Sequence, residues 1–288
     1  MPTPLVAIRT LVYNHESFLR DYFEGIMMQK TNFPFIAVVH DDCSRDNSAM
    51  VIREFAEKYP DIIKPIFEEV NCYQSGQWDV AEQKMKTAYG GAKYIAFCEG
   101  DDYWTDPHKL QRQVDFLEKN PDYSAISENG ITKNSVINKE YLFNEAPSHD
   151  VSLEEIIIQR RFPTAGVVCR AEALSGFNEA TKLHIDTILW CWLLTKGRFR
   201  YEQIVSSVYR KGEQGITVNI HPYTFAKIAE SWQKEILRIF DVNKHFIYHN
   251  IALNYLNCAK SALRKLFIRD SILCVIYSTW FYIKSVFA

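Results

Sequence analysis

Short apolar runs alternate with segments of helical periodicity over the first 120 residues. Four runs have the length and β-branched content of buried strands: 4–12, 33–40, 62–67 and 93–98. Apolar residues recur at helical spacing between and after these runs, over about 15–29, 47–58, 78–89 and 107–117. This alternation predicts an α/β domain in which helices cover both faces of a mostly parallel, twisted sheet. The proline inside 62–67 predicts an edge strand or a short one, because proline cannot donate to a sheet ladder.

The pattern changes after residue 120. Residues 121–150 are polar and turn-rich, which predicts loop with short strands. Later elements are predicted as a strand at 166–170, a helix over about 185–196 and two helices in 223–266. We therefore expect a catalytic domain over residues 1–222 and a helical C-terminal region over residues 223–288.

Composition narrows the class of protein. The chain has 288 residues, 47% of them hydrophobic, which suits one large domain, or one domain plus a smaller appendage. Its net charge of −2 gives no indication of a general nucleic-acid binder. The seven cysteines include no CxxC pair, and the N-terminus has no basic segment followed by an apolar stretch. We expect a cytoplasmic protein that is either free in the cytoplasm or bound peripherally to the cytosolic face of the inner membrane.

Two of the predicted strands end in acidic residues. Asp41 and Asp42 follow the second strand, and Glu99, Asp101 and Asp102 follow the run 93–98. A single acidic strand end is equally well explained as a helix N-cap. Two such ends at one sheet edge predict a ligand, because clustered carboxylates repel one another unless a cation neutralises them. Oxygen ligands suit Mg²⁺ or Mn²⁺, so the sequence predicts a metal-bridged phosphate ester at the carboxyl edge of the sheet.

The familiar phosphate-binding loops are absent from the sequence. It contains no GxGxxG after the first strand and no GxxxxGK[ST]. Dehydrogenases and P-loop enzymes are therefore disfavoured, and a bound phosphate must be held by metal and by scattered donors.

Three segments carry a resemblance to a known family. VAIRTLVYNHESFLRDYFEGIMMQ, VVHDDCSRDNS and KYIAFCEGDDYWTDPHKLQRQVDFLE, in this order, resemble the family 2 glycosyltransferases over about residues 4–120. The resemblance implies a Rossmann-like, A-type glycosyltransferase fold with a helical C-terminal appendage. It also implies inverting transfer from a nucleotide-diphosphate sugar, with UDP as the commonest carrier. The bacterial members that build surface polysaccharides, on glycan or lipid-linked acceptors, are especially similar.

The resemblance also implies donor-binding residues. Asp42 matches the carboxylate that hydrogen-bonds the base, Asp41 stands beside it, and Tyr13 lies where the family holds base and ribose. Glu99 and Asp101 match the two ends of the DxD motif, with glutamate in place of the usual first aspartate.

The same motif implies the metal ligands. Asp101 is the expected direct ligand of Mg²⁺ or Mn²⁺, and Asp102 is the next candidate. Glu99 would reach the ribose or a metal-bound water.

The general base is implied by position. Asp186, at the start of the apolar segment HIDTILWCWLL, matches the family's base. The alternatives are a simple N-cap for that helix, and His184 as the proton acceptor.

Arg210 and Lys211 in the segment 208–217 would contact the diphosphate as cations. Gly212 stands where many family members have a histidine. Trp104, directly after the acidic stretch, either packs against a sugar ring or seals the core.

Two other functions remain open from the sequence. A sugar-1-phosphate nucleotidyltransferase would also bind nucleotide and metal, but should have a glycine-rich loop after the first strand, where residues 11–16 contain no glycine. A non-catalytic nucleotide- or glycan-binding module would be consistent with Gly212.

The C-terminal run 271–288 contains one charged residue, Lys284, and follows basic residues at 260, 264, 265 and 269. Its aromatic content predicts a helix in the membrane surface over 268–288. The alternative is a terminal helix packed on the catalytic domain or in a homo-oligomer.

Overall fold

The computed structural model describes residues 3–159, 161–212, 220–264 and 266–287. The chain groups into two compact units. The first comprises Met1–Ser175 with Cys191–Lys211, and the second comprises Gly176–Trp190 with Gly212–Ala288. The functional boundary between residues 222 and 223 stays a prediction.

The described strands of the first unit form one sheet. They are β1 (Val6–Val12), β2 (Phe35–Asp41), β3 (Ile63–Phe67), β4 (Tyr94–Phe97), β5 (Tyr103–Trp104), β6 (Tyr123–Asn134), β7 (Lys139–Leu142), β8 (His149–Asp150), β9 (Val167–Arg170) and β10 (Arg198–Lys211). Their order is β3-β2-β1-β4-β9-β6-β10-β5, with β7 beside β6 and β8 beside β10. The proline-containing β3 lies at an edge, as predicted.

The sheet is mixed. Strands β3, β2, β1 and β4 pair in parallel, and β6 pairs in parallel with β10. Strand β9 is antiparallel to both β4 and β6, and β5 is antiparallel to β10. The predicted α/β class is confirmed, and the larger parallel part, strands β3, β2, β1 and β4, carries both acidic strand ends.

Helices flank this sheet. Those within the first unit are α1 (Leu19–Met27), α2 (Ser48–Lys58), α3 (Cys72–Ser75), α4 (Trp78–Ala88), α5 (Lys109–Lys119) and α6 (Leu153–Ile158). Helix α1 buries Leu19, Tyr22, Phe23 and Ile26, the spacing of one helical face. Gly25 lies on the same helix, and a Cβ there would be 2.7 Å from the carbonyl oxygen of Trp104. The helix therefore packs directly on the backbone of β5 and fixes the segment that follows the acidic stretch.

The region 121–150 is not mainly loop, so that prediction is wrong. Strand β6 runs for 12 residues and is almost entirely buried. Its polar residues have partners from distant segments. Glu128 accepts from Arg112 at 2.7 Å and 2.8 Å, and Asn129 donates to the carbonyl of Asn144 at 2.7 Å. The polar side chains of β6 can therefore lie in the core, because residues of other segments form hydrogen bonds with them.

The second unit is helical in its described residues. Its helices are α7 (Phe177–Ala180), α9 (Pro222–Ile239), α10 (Lys244–Arg264) and α11 (Ile268–Val286), while α8 (Asp186–Leu194) begins in this unit and ends in the first. The helices predicted in 223–266 and 271–288 are confirmed. No helix in the described part of the chain is both long and apolar enough to cross a bilayer.

Candidate active site

Two loops at the carboxyl edge of the sheet are joined by hydrogen bonds. The loops after β1 and β2 lie side by side, because these strands are parallel neighbours. The Asn14 amide donates to the Ser44 hydroxyl at 2.9 Å, and the His15 amide donates to the Ser48 hydroxyl at 2.8 Å. The half-buried Tyr13 begins the first of these loops. Its predicted position at this edge is therefore set by the protein before any ligand binds.

The Asp42 carboxylate is buried, and each of its two oxygens accepts a backbone amide. Its Oδ1 accepts from the Cys72 amide at 2.6 Å, and its Oδ2 accepts from the Tyr73 amide at 3.2 Å. Charge-assisted bonds of this kind are the stronger hydrogen bonds of proteins. Asp42 thus holds the start of α3 against the sheet edge. A hydrogen bond that Asp42 accepts from a nucleotide base stays a prediction.

Asp41 ends β2 and supports the loop behind the edge. It accepts a hydrogen bond from the Ser44 hydroxyl, and only 3% of its surface is exposed. Burial raises the pKa of the Asp41 carboxyl, and the hydrogen bonds from Ser44 oppose that increase.

Glu99 reaches back from the end of β4 onto β1. Its Oε2 accepts from the Leu11 amide at 3.1 Å, and its Oε1 lies 3.7 Å from Arg9 Nη1. Aspartate has a side chain one methylene shorter and would not span this gap. The glutamate at the first position of the motif therefore has a structural explanation, since it joins the acidic stretch to the neighbouring strand.

Asp101 differs from its acidic neighbours. Its carbonyl oxygen accepts from Arg210 Nη1 at 2.9 Å, but within the described residues its carboxylate makes no hydrogen bond and no ion pair. The backbone of Asp101 is thus fixed while its carboxylate oxygens remain available. Carboxylate oxygens of this kind suit Mg²⁺ and Mn²⁺, so Asp101 fits the predicted role of direct metal ligand.

Asp102, predicted as a second metal ligand, is buried. It is 2% exposed, and its Oδ1 accepts from the Arg210 amide at 2.8 Å. A buried carboxylate that already accepts from the backbone is not presented at the edge. Asp102 ties the acidic stretch to β10, and its assignment as a second metal ligand stays a prediction.

Arg210 spans the acidic stretch from β10. Its guanidinium pairs with Asp21 and lies over two aromatic rings, 4.4 Å from the centroid of Tyr103 and 5.2 Å from that of Phe18. The Asp21 side chain is 52% exposed. Arg210 is therefore a positioned cation beside the acidic stretch, and its contact with a diphosphate stays a prediction.

Trp104 belongs to the core. The side chain has no exposed surface, and its Nε1 donates to the Ala165 carbonyl at 2.8 Å. The ammonium of Lys109 lies 4.6 Å from its ring centroid. Of the two alternatives, the structure favours sealing the core, and the predicted packing of Trp104 against a sugar ring is corrected because the indole ring does not reach the surface.

The predicted site residues do not include His15, which lies at this edge. Its Nδ1 is buried and has no hydrogen-bond partner among the described residues. A Cβ added to Gly100 would be 3.0 Å from this nitrogen and 2.8 Å from Val12 Cγ2. Burial lowers the pKa of His15, and nearby carboxylates, with Asp101 foremost, oppose that decrease. The sequence signal was its position three residues after a strand that ends at the acidic edge.

Asp186 is the first residue of α8. The Ile185 carbonyl accepts from the amides of Ile188 and Leu189, so Ile185 takes the cap position and the simple N-cap alternative for Asp186 does not hold. Asp186 is exposed in the first turn, where a negative charge suits the helix dipole. Its role as general base stays a prediction, as does the alternative of His184.

The end of β10 carries the remaining predicted residues. Lys211 is exposed at the last position of the strand, and Gly212 follows it. Residues 213–217 of the predicted segment lie outside the described residues.

One group of three metal-ligating side chains occurs among the described residues. His40, Asp42 and Cys72 are all buried, with one ligand atom of each within 4.8 Å of the others. Burial raises the pKa of the Cys72 thiol to about 11, which keeps it protonated at neutral pH. A His, Asp and Cys set would suit zinc better than magnesium, and both Asp42 oxygens already accept amides. The oxygen chemistry of the predicted ion therefore fits Asp101 better than this group.

The sequence is similar to a known protein family and to several curated proteins. The model for the family described as glycosyl transferase family 2 matches residues 8–169, more than half of the chain. An uncharacterized protein of Mycobacterium bovis is 28% identical over 218 residues, which are 73% of this chain. The chain spans 60% of the length of that relative. WfaP of Escherichia coli, a UDP-Glc:alpha-D-GlcNAc-diphosphoundecaprenol beta-1,3-glucosyltransferase, is 26% identical over 75% of this chain and 80% of its own length.

Solved structures share the fold. S. aureus TarS in complex with UDP-GlcNAc has a TM-score of 0.63 at 18% identity, covering 88% of this chain and 72% of that one. The mannosyltransferase PcManGT of Pyrobaculum calidifontis, in complex with GDP-Man and Mn²⁺, has a TM-score of 0.60 at 14% identity, covering 99% and 87%. The A-type fold predicted from the resemblance is confirmed. With its acidic carboxyl edge and a family match over more than half of its length, the chain belongs to glycosyl transferase family 2.

Proposed function

We propose that this chain is an inverting glycosyltransferase of bacterial surface-polysaccharide synthesis. It would move a sugar from a nucleotide-diphosphate sugar, carried on UDP, to a glycan or lipid-linked acceptor. The observation that carries the proposal is the available carboxylate of Asp101 at a sheet edge otherwise held by hydrogen bonds. The donor and acceptor in the name of WfaP, and the UDP-GlcNAc bound to TarS, support the choice of substrates.

The donor would lie along this edge. Tyr13 and Asp42 would bind the base and ribose, with Asp41 holding the loop behind them. Glu99 would face the ribose while keeping its bond to β1. Arg210 would exchange Asp21 for the diphosphate, and Lys211 would add a second cation at the strand end.

Asp101 would hold Mg²⁺ or Mn²⁺, with diphosphate oxygens and water as the other ligands. When bound, such an ion offsets the charge on the departing nucleoside diphosphate. The Mn²⁺ in the PcManGT complex supports this choice of metal.

Transfer with inversion needs a base on the acceptor side. The acceptor oxygen bonds to the anomeric carbon as the bond to the diphosphate oxygen breaks, and the electron pair leaves with the nucleoside diphosphate. Asp186 would take the proton of the acceptor hydroxyl, a contribution typically worth about 10²–10⁴-fold in rate.

The proposal is tested by incubating the full chain with a panel of nucleotide sugars, with Mn²⁺ and with EDTA. We expect metal-dependent release of nucleoside diphosphate, most rapid from UDP-sugars. Asp186→Asn should retain donor binding and lose at least about 100-fold in turnover.

Two results would contradict the proposal. Formation of nucleoside triphosphate and sugar 1-phosphate when pyrophosphate is added to the nucleotide sugars, without release of nucleoside diphosphate, would indicate the nucleotidyltransferase alternative. Donor binding without turnover for any sugar would indicate a non-catalytic module.

A further inference from the structure

Helix α11 has apolar side chains on two opposite sides. Cys274, Phe281 and Ser285 mark the side that is buried within the second unit. On the other side lies a set that we call the exposed face of α11: Ile272, Val275, Ile276, Trp280, Ile283 and Val286. At about 100° per residue, these six side chains fall within an arc of about 140°, directed away from the buried side.

The exposed face of α11 is unusual for a surface helix. Each of its six side chains is 48–59% exposed. A helix on a protein surface normally turns its polar residues to that side. A contiguous apolar surface of this kind marks contact with another molecule or with a membrane.

The segment that carries this face is rich in positive charge. Residues 244–288 contain six lysines and arginines and a single acidic residue, Asp270, in a chain whose net charge is −2. The Asp270 carboxylate lies 3.3 Å from His221 Nδ1. The segment therefore has a strong excess of positive charge while the rest of the chain is acidic.

The basic residues lie at both ends of the helix pair. Helices α10 and α11 are antiparallel, since Ser278 donates to the Ala252 carbonyl and Ser271 to the Ala259 carbonyl. Lys260, Arg264 and Arg269 thus gather near the turn between the helices, and Lys244 and Lys284 lie near the opposite end. Lys265 lies outside the described residues.

We propose that the exposed face of α11 lies in the interfacial region of an anionic lipid bilayer. Apolar side chains with a tryptophan would enter the headgroup boundary, and the basic residues at both ends would meet anionic headgroups. A second copy of this chain is a poorer partner, because a symmetric contact would bring two positively charged surfaces together. The inference deepens the proposed function and rests on it, since one of the two acceptor classes proposed there is linked to lipid.

Vesicle flotation of the full chain, without donor or acceptor, tests the proposal. Vesicles of phosphatidylcholine alone are compared with vesicles containing equal parts of phosphatidylcholine and phosphatidylglycerol. We expect the chain to float with the anionic vesicles only, and to be released when salt rises from about 50 mM to about 500 mM, because salt screens surface charges.

Matched variants separate the apolar and basic contributions. Ile276→Glu/Ile283→Glu should lower partitioning at least about tenfold, because it removes apolar contact and adds repulsion. Ile137→Glu is the control, since Ile137 is 55% exposed on the first unit, as Ile276 is 57% exposed on the second. Arg264→Glu/Arg269→Glu should also lower partitioning at least about tenfold, while Lys86→Glu/Lys119→Glu should not.

Three outcomes would overturn the proposal. One is absence of flotation with anionic vesicles at low salt. Another is equal partitioning of Ile276→Glu/Ile283→Glu and wild type. The last is a wild-type dimer in sedimentation velocity that this double variant dissociates, which would make the face an interface between copies. Because donor turnover is measured separately, failure of membrane binding and failure of the proposed function are distinguishable.

Discussion

The two acidic strand ends look alike in the sequence and differ in the structure. After β2, both oxygens of Asp42 accept backbone amides, and the carboxylate is buried. After β4, the Asp101 carboxylate makes no hydrogen bond or ion pair with any described residue. One end therefore uses its charge to build the edge, and the other presents its charge at the edge. Nearby amide donors, and not the acidic residue itself, decide between the two roles.

The largest effect is expected for Asp101→Asn. Turnover should fall at least about 100-fold, since this carboxylate is the proposed metal ligand. The free energy of unfolding should change by less than about 0.5 kcal/mol, because the carboxylate makes no hydrogen bond or ion pair with a described residue. Nucleoside diphosphate release and urea unfolding in EDTA measure the two quantities, with the exposed Asp115→Asn as control. Unfolding at clearly lower urea would show that Asp101 also builds the edge.

Gly100→Ala changes the packing between the acidic stretch after β4 and residues 12–15. The new Cβ would lie 2.8 Å from Val12 Cγ2 and 3.0 Å from His15 Nδ1, so one of these must move. We expect a loss of about 1–3 kcal/mol in stability, the usual cost of overpacking, together with weaker donor binding. Urea unfolding and titration with UDP measure both effects. Unchanged binding would show that the His15 side of the edge does not shape the donor site.

Asp42→Asn should reduce stability clearly, whereas Asp101→Asn should reduce turnover and leave stability nearly unchanged. The carboxamide keeps one oxygen acceptor and places an NH₂ group against an amide, so about 1–2 kcal/mol of stability should be lost. The urea midpoint is the measurement, and Asp101→Asn is the matched comparison. Equal stability of the two variants would remove the distinction between the strand ends.

The smallest effect is expected for the buried charge of Lys109, which acts on the pH dependence of stability. Lys109 is fully buried and donates to Gln113 Oε1 at 2.6 Å, and burial lowers its pKa to about 8. The unfolded chain therefore binds more protons than the folded chain between pH 8 and the ordinary lysine pKa, so this group makes stability increase with pH in that window. In Lys109→Met this part of the increase should disappear. Urea unfolding at about pH 7.5 and about pH 9.5 compares the two proteins, and parallel pH profiles would contradict the assignment.

The sequence could predict where the edge lies, but not how its charges are distributed. Apolar runs that end in acidic residues were sufficient to place β2 and β4, since periodicity and strand direction are local properties. The partners of Asp42 and Asp102 come from residues 72–73 and 210, which no local pattern connects to them. Strand β6 escaped prediction for the same reason, because Arg112 and Asn144 satisfy its polar side chains from other segments.

The ion pair between Arg210 and Asp21 bears on how a diphosphate would bind and leave in the proposed function. Its guanidinium is held between two rings and already has an anionic partner in Asp21. If a diphosphate replaces Asp21, one counter-ion is exchanged for another and the cation is never left bare. Product departure then restores the first pair. In the proposed function, an ion exchange of this kind would let the chain bind a highly charged group firmly and still release it.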